Sequence, residues 1–318
     1  MDALWIMLKN VIVFVALALP GFLLVKTKEL TPAQSGALSK LLMYVGMPFL
    51  ILTNAINNIT FNGELLLTIG VVALIGVAYT FAMFFASKPL TSMEREEKTK
   101  GMMRFCSVFS NNGFLGIPLA MAVFGAGSRV LMVVIILNII TNILMYTLGI
   151  YLVSGDKNAI SLKKAFLNPV LIAFIIGIVV NLLNVKAYVP EIVTYSTHFS
   201  NLVTPISMTI LGMKMATVSF GELFKSWKTY YVAALKLAVF PLVIVLFAFL
   251  LKMAWPVINT DVILGIFIAF SMPTAGLAST FSDNFNGDTE NAVAFTLGTT
   301  LLSVVTIPLF YALIRLFF

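Results

Sequence analysis

Apolar residues in this chain fall into ten blocks of roughly twenty, the length a helix needs to cross a bilayer. The blocks lie at 5–25, 33–56, 65–87, 102–124, 129–153, 165–184, 196–216, 228–251, 258–282 and 291–317. Inside them, as in "VLIAFIIGIVVNLL", the residues are apolar all round instead of alternating with a period of two. That pattern predicts spanning helices and not the strands of a β-barrel. The first block runs on through "PGFLLVKTKEL" with no small-residue cleavage site, as expected of a retained span rather than a signal peptide. The fold class expected is an all-α integral membrane protein of ten transmembrane helices.

Two blocks interrupt the pattern. Span four contains "FSNNGFLGIPLA", with Asn111, Asn112, Gly113, Gly116 and Pro118, and span nine contains "SMPTAGLASTFSDN", with Pro273 near its middle. Proline lacks an N–H and clashes with the preceding turn, and glycine lets another backbone approach closely. Both spans are therefore expected to break at mid-membrane and to point free N–H groups and positive helix ends into a cavity. The candidate substrate-binding residues are Ser110, Asn111, Asn112 and Gly113 from span four, Pro273 and Thr274 from span nine, and Asn142 from span five. Asn142 shares a helix face with Asn138 and Thr141, at i, i+3 and i+4. The competing reading for these amides is hydrogen bonding between helices. Met43 and Met47 read as packing and His198 as an interfacial residue. Asp283, Asp288 and Glu290 read as a solvated acidic loop more readily than as a cation vestibule.

The two breaks belong to a repeat. "ITFNGELL" at 59–66 matches "VSFGELF" at 218–224, and Pro48 with Pro205, Phe61 with Phe220 and Glu64 with Glu222 are separated by 157, 159 and 158 residues. Repeat one would occupy 1–154 (spans one to five) and repeat two 165–318 (spans six to ten), joined by a short cytoplasmic linker at 155–164. Five spans per copy is an odd number, so the second copy would lie inverted in the membrane, the arrangement that recurs in secondary transporters. Setting Gly113 against Gly276, an offset of 163, pairs Asn111 with Thr274 and Ser110 with Pro273; setting Pro118 against Pro273 gives 155.

Composition narrows the function classes. The chain is 60% hydrophobic and 10% charged, against about 25% charged in soluble domains, and its mean hydropathy is +1.03. Cys106 is the sole cysteine, which leaves no intrachain disulfide. Fifteen of the lysines and arginines, Lys214, Lys225, Lys228 and Lys236 among them, fall in or beside the loops after spans one, three, five and seven. Five fall on the other side, so the first set is expected to be cytoplasmic and both termini external. The net charge of +7 then attracts anionic lipid and gives no reason to invoke nucleic acid. No Asp or Glu falls in the middle third of a span, which argues against a carboxylate proton relay. HExxH, Gly-rich phosphate-loop and GxSxG motifs are absent, so no enzyme, metal or cofactor is expected.

The stretches "SNNGFLGIPLAMAVFG", "MPTAGLASTFSDNFNGD" and "LSKLLMYVGMPFLILTNAI" resemble the auxin efflux carrier family, which includes plant PIN proteins and bacterial malate or malonate permeases. The similarity covers essentially the whole chain. It implies a crossover of spans four and nine, a scaffold of spans one, two, six and seven that often forms a homodimer, and a moving core of the rest. In plant members a Pro-Asn pair marks the fourth-span crossover, and its Asn binds the substrate carboxylate. Here Ser110 stands in the place of that proline and Asn111 in the place of the Asn, while Pro273 matches the crossover proline of span nine. The long cytoplasmic loop of many plant members is absent. The expected function is a secondary transporter of a small organic anion, such as malate or another dicarboxylate, working by alternating access in a bacterial cytoplasmic membrane, with the coupling ion left open. The alternative is a membrane receptor that binds the anion without translocating it.

Overall fold

The computed structural model describes the chain except for residues 1, 59–62, 126, 161–162, 164–165, 168, 218–224, 254, 256 and 318. The repeat anchors Phe61, Phe220 and Glu222 and part of the 155–164 linker lie outside the described residues. The described residues are mostly helical, with one isolated β-bridge and no strand. The α-helices are α1 (Asp2–Lys26), α2 (Ser35–Leu41), α3 (Met47–Asn58), α4 (Gly63–Leu90), α5 (Glu97–Val108), α6 (Ile117–Phe124), α7 (Arg129–Leu144), α8 (Ile150–Ser154) and α9 (Pro169–Leu182). They continue with α10 (Val185–Tyr188), α11 (Glu191–Ser200), α12 (Val203–Met215), α13 (Trp227–Ala234), α14 (Phe240–Lys252), α15 (Thr260–Ser271), α16 (Ala278–Asn284) and α17 (Thr289–Phe317).

Five helical stretches, Pro32–Asn57, Leu66–Leu90, Arg129–Ser154, Trp227–Lys252 and Thr289–Arg315, are long and apolar enough to cross a membrane. Four shorter apolar helices, Ala16–Lys26, Asn112–Phe124, Pro169–Leu182 and Thr260–Ser271, join them. Large apolar side chains such as Leu66, Phe85, Leu183, Leu246 and Val305 face outward, as lipid contact requires. The chain is a helical multi-pass membrane protein. Blocks four and nine are interrupted at 109–111 and 272–277. Block seven is interrupted too, which its pattern did not suggest: α11 starts at Glu191, ahead of the expected 196, and a turn at Asn201–Leu202 separates it from α12.

Prolines shape several of these helices without ending them. Wide, π-type turns occupy Leu42–Gly46, Asn112–Gly116 and Leu235–Val239, each closing two residues before a proline: Pro48, Pro118 and Pro241. The residue just before each proline donates to the carbonyl five back, Met47 to Leu42, Ile117 to Asn112 and Phe240 to Leu235. Proline cannot make the usual bond to the carbonyl four back, and the helix widens by one residue to keep its neighbours paired. A fourth such turn, Met145–Gly149, has no proline after it.

The most extensive helix contacts fall in two groups, which α1 links by also touching α17 and α6. The first contains α1 along α12, and α9 and α11 along α3. In the second, α7 packs on α4 and α15, α14 on α15, and α13 and α16 on α17. The α1–α12 contact is backbone on backbone: a Cβ at Gly21 would lie 2.0 Å from the Thr209 carbonyl oxygen, and one at Gly212 1.8 Å from that of Ala18. Small residues permit this close approach of membrane helices.

Polar contacts tie the loops at each end. At one end Lys228 pairs with Glu94 at 2.5 Å, Lys98 Nζ donates to Asn286 at 2.9 Å and the Thr99 hydroxyl to Asp288 at 2.5 Å. At the other, Arg129 donates to both Glu64 and Thr68 at 2.9 Å, and Lys186 to Asn57 at 2.8 Å. Asp288 accepts from the Asn291 N–H at the start of α17, and Asp283 accepts from the Thr289 hydroxyl. Asp288 therefore caps the start of α17 and ties it to α5 through Thr99, while Asp283 accepts a side-chain bond across the loop.

Candidate functional site

Span nine breaks where its sequence requires it. Residues before proline are driven out of the helical region, and Met272, ahead of Pro273, is extended at φ −62°, ψ 150°. Span four reaches the same outcome without a proline: Phe109 is extended at φ −91°, ψ 125°. The two extended pieces pair as an antiparallel bridge of Ser110 with Thr274. The Asn111 N–H donates to the Pro273 carbonyl at 2.7 Å, and the Ala275 N–H to the Phe109 carbonyl at 2.9 Å. The bridge sets Ser110 opposite Thr274, 164 residues on, one residue from the match with Pro273 read from sequence. Pro118 lies inside the helical stretch that follows, in the first turn of α6.

Side chains complete the crossing. The Thr274 hydroxyl donates to the Cys106 carbonyl at 2.8 Å, the Thr274 N–H to the Thr299 hydroxyl at 3.1 Å, and the Ser110 hydroxyl to the Phe270 carbonyl at 3.3 Å. Thus carbonyls left over at the ends of α5 and α15 find partners in the opposite span, as buried backbone groups in a membrane must.

The two asparagines differ. Asn112 is buried and clamped to α7: its amide donates to the Thr141 hydroxyl at 3.1 Å and accepts from the Asn138 amide at 2.9 Å. Asn142 is occupied in part within its own helix, donating to the Asn138 carbonyl at 2.8 Å. Gly113 allows α7 this close, since a Cβ there would sit 2.8 Å from the Asn138 amide nitrogen. Asn111 instead turns its side chain to a recess beside the bridge, and among the described residues none hydrogen-bonds that amide. The Asn138 side-chain oxygen, buried at the same place, also has no partner among the described residues.

The recess contains about 490 Å³ of atom-free space, part of it continuous with the exterior. Ser110, Asn111, Asn112, Gly113 and Asn142 line it, together with Ala275 and Gly276 of the broken ninth span. Pro273 and Thr274 are buried behind it in the bridge. Its apolar wall includes Met43, Met47, Phe114, Met145 and Tyr146. Met43 and Met47 are therefore wall residues and not merely packing. The mixture of apolar walls and a few convergent amides is typical of small-molecule sites.

Two lysines require a correction. The charge count expects Lys214 and Lys236 in the cytoplasmic loops and flanking helix ends after span seven. The structure places them at the crossing. Lys214, on α12, donates to the Gly276 carbonyl at 2.8 Å. Lys236 is completely buried, and its ammonium donates to the Ser110 hydroxyl and to the Val108 carbonyl. A sequence signal existed: Lys236 lies eight residues into block eight, about 12 Å at 1.5 Å per residue, beyond the reach of a side chain stretching back to the interface.

Among the described residues no cluster of His, Cys, Asp or Glu has a metal-binding arrangement. Comparison with known proteins agrees with the membrane architecture. The sequence model of a family described as membrane transport protein matches residues 5–311. An "uncharacterized transporter" from Methanothermobacter thermautotrophicus (strain Delta H) is 26% identical over 306 residues, covering 95% of this chain and 96% of that protein. These findings place the chain with transport proteins and not with enzymes, and it belongs to the membrane transport protein family that its auxin-efflux-carrier-like motifs indicated.

Proposed function

We propose that this transporter carries a small organic anion, a carboxylate such as malate, bound in the recess at the crossing of spans four and nine. The observation that carries the reading is the free Asn111 amide, facing the recess at the start of the helical stretch Asn112–Phe124. Helix starts present unpaired N–H groups and partial positive charge, and an amide adds two directed donors. Lys214 beside Gly276 adds positive charge on the same side. The unpartnered Asn138 oxygen is an acceptor suited to a substrate hydroxyl, which favours a hydroxycarboxylate.

Transport proceeds by alternating access. The helix set of α1, α3, α9, α11 and α12 acts as the scaffold, and the set carrying the crossing moves against it. Two inverted five-span repeats, ten spans in all, underlie this division. The reciprocal bonds at the bridge, from the Asn111 N–H to the Pro273 carbonyl and from the Ala275 N–H to the Phe109 carbonyl, support that internal two-fold relation. The loops joined through Glu94, Lys228 and Asp288 face the cytoplasm of a bacterial cell, and both termini lie outside. On this sidedness the recess opens inward, because Tyr146 and Val170 line it toward the cytoplasmic ends of their spans. Outward movement of a carboxylate gains about 2.3 kcal/mol per charge per 100 mV from an inside-negative potential.

Counterflow of labelled malate in proteoliposomes tests the reading. Accumulation driven by unlabelled malate inside is expected; specific binding with no counterflow would favour the receptor alternative.

A further inference from the structure

Lys236 poses a separate question, because among the described residues no other lysine or arginine is buried. None of the ion pairs among the described residues gives it a carboxylate. A buried charge without compensation is costly, so its surroundings must supply the counterpart.

They do so through helix ends. Val108, whose carbonyl the ammonium reaches at 3.4 Å, is the last residue of α5. Ser110, its other partner, passes the interaction on by donating to the Phe270 carbonyl in the last turn of α15. Both half-helices direct their carboxyl-terminal, negative ends at the crossing, where a cation is stabilised. The wide turn Leu235–Val239 ahead of Pro241 sets Lys236 at this point. The crossing is thus divided: the ammonium occupies the side of the carboxyl-terminal ends, and the recess adjoins the start of Asn112–Gly116.

We propose that Lys236 is the resident cation of the crossing, fixed where a carrier relying on a dissolved cation would have to bind one, so that the recess accepts its anion with no metal ion beside it. The ammonium also holds Ser110 in the bridge and so stands in for a proline at the break of span four. The inference rests on the reading of the recess as an anion site.

The test uses the purified full-length protein in two arms. The first follows thermal unfolding of Lys236→Ala in choline chloride, because n-propylammonium restores the three carbons and the ammonium that this substitution removes. Propylammonium chloride is expected to raise the melting temperature of Lys236→Ala by several degrees, while 1-propanol and sodium chloride do not and wild type does not respond. Equal effects of propylammonium and propanol would overturn the proposal. So would a Lys236→Met variant, of similar length and no charge, that melts and transports as wild type does. The second arm measures malate counterflow by wild type in sodium and in choline. Rates within twofold are expected, and a tenfold loss in choline would overturn the proposal. Absence of malate counterflow in both salts would instead count against malate transport, and the unfolding arm would still decide the role of Lys236.

Discussion

At the scale of single residues, adjacent asparagines have different tasks. Asn112 exchanges two side-chain hydrogen bonds with α7, whereas Asn111 presents its amide to the recess. Asn112→Ala leaves the buried Asn138 amide without its acceptor, a loss of about 1–3 kcal/mol, and is expected to lower the melting temperature of the purified protein. Asn111→Ala removes no internal side-chain bond. It is expected to leave melting near wild type and to reduce malate counterflow at least tenfold. Counterflow at the wild-type rate in Asn111→Ala would show that this amide does not touch the substrate. Composition and spacing marked both residues as candidates, and only the family resemblance set Asn111 apart, because the physical distinction lies in which one faces α7. Lys236 was legible only in its depth within an apolar block, and that signal was masked by the nearby interfacial lysines.

At the scale of elements, the apolar blocks were legible because backbone self-satisfaction in lipid leaves the helix as nearly the sole solution for a non-barrel span. The break at Pro273 was legible for the same kind of local reason. The break of span four was also signalled locally, by Asn111, Asn112 and Gly113, but its pairing with a segment more than 160 residues away was not, since no local propensity encodes a distant partner. The turn at Asn201–Leu202 likewise left no clear local signal. Association of α1 with α12 depends on glycine: Gly212→Ala places a methyl group against the Ala18 carbonyl. Overpacking of this kind costs about 1–3 kcal/mol, so Gly212→Ala is expected to melt at lower temperature, and a melting temperature equal to wild type would show that the two helices separate freely.

At the scale of the whole molecule, the two ends of the bundle are tied by ion pairs, and one of them gives a pH dependence. Glu94 lies outside the spans and accepts from Lys228, then from the N–H of Glu96 and of Arg95, and these bonds outweigh its burial and hold its carboxyl below the ordinary range. A carboxylate with a lowered folded-state value stabilises fully above its unfolded value, and that contribution disappears as pH falls through the folded one. Wild type is therefore expected to melt above Glu94→Gln at pH 7, with the gap closing on acidification below the ordinary carboxylate range. A gap independent of pH would remove the ion pair from the account.

The central claim is that the recess at the crossing meets each side of the membrane in turn. Cys106 is the only cysteine and is buried, so a single Phe114→Cys substitution on the recess wall can be labelled on an almost silent background. Labelling by a membrane-impermeant thiol reagent is measured in vesicles of both orientations, with and without malate. The account predicts reaction from either side and slowing by malate. Reaction from one side only, under every gradient and substrate condition, would contradict it.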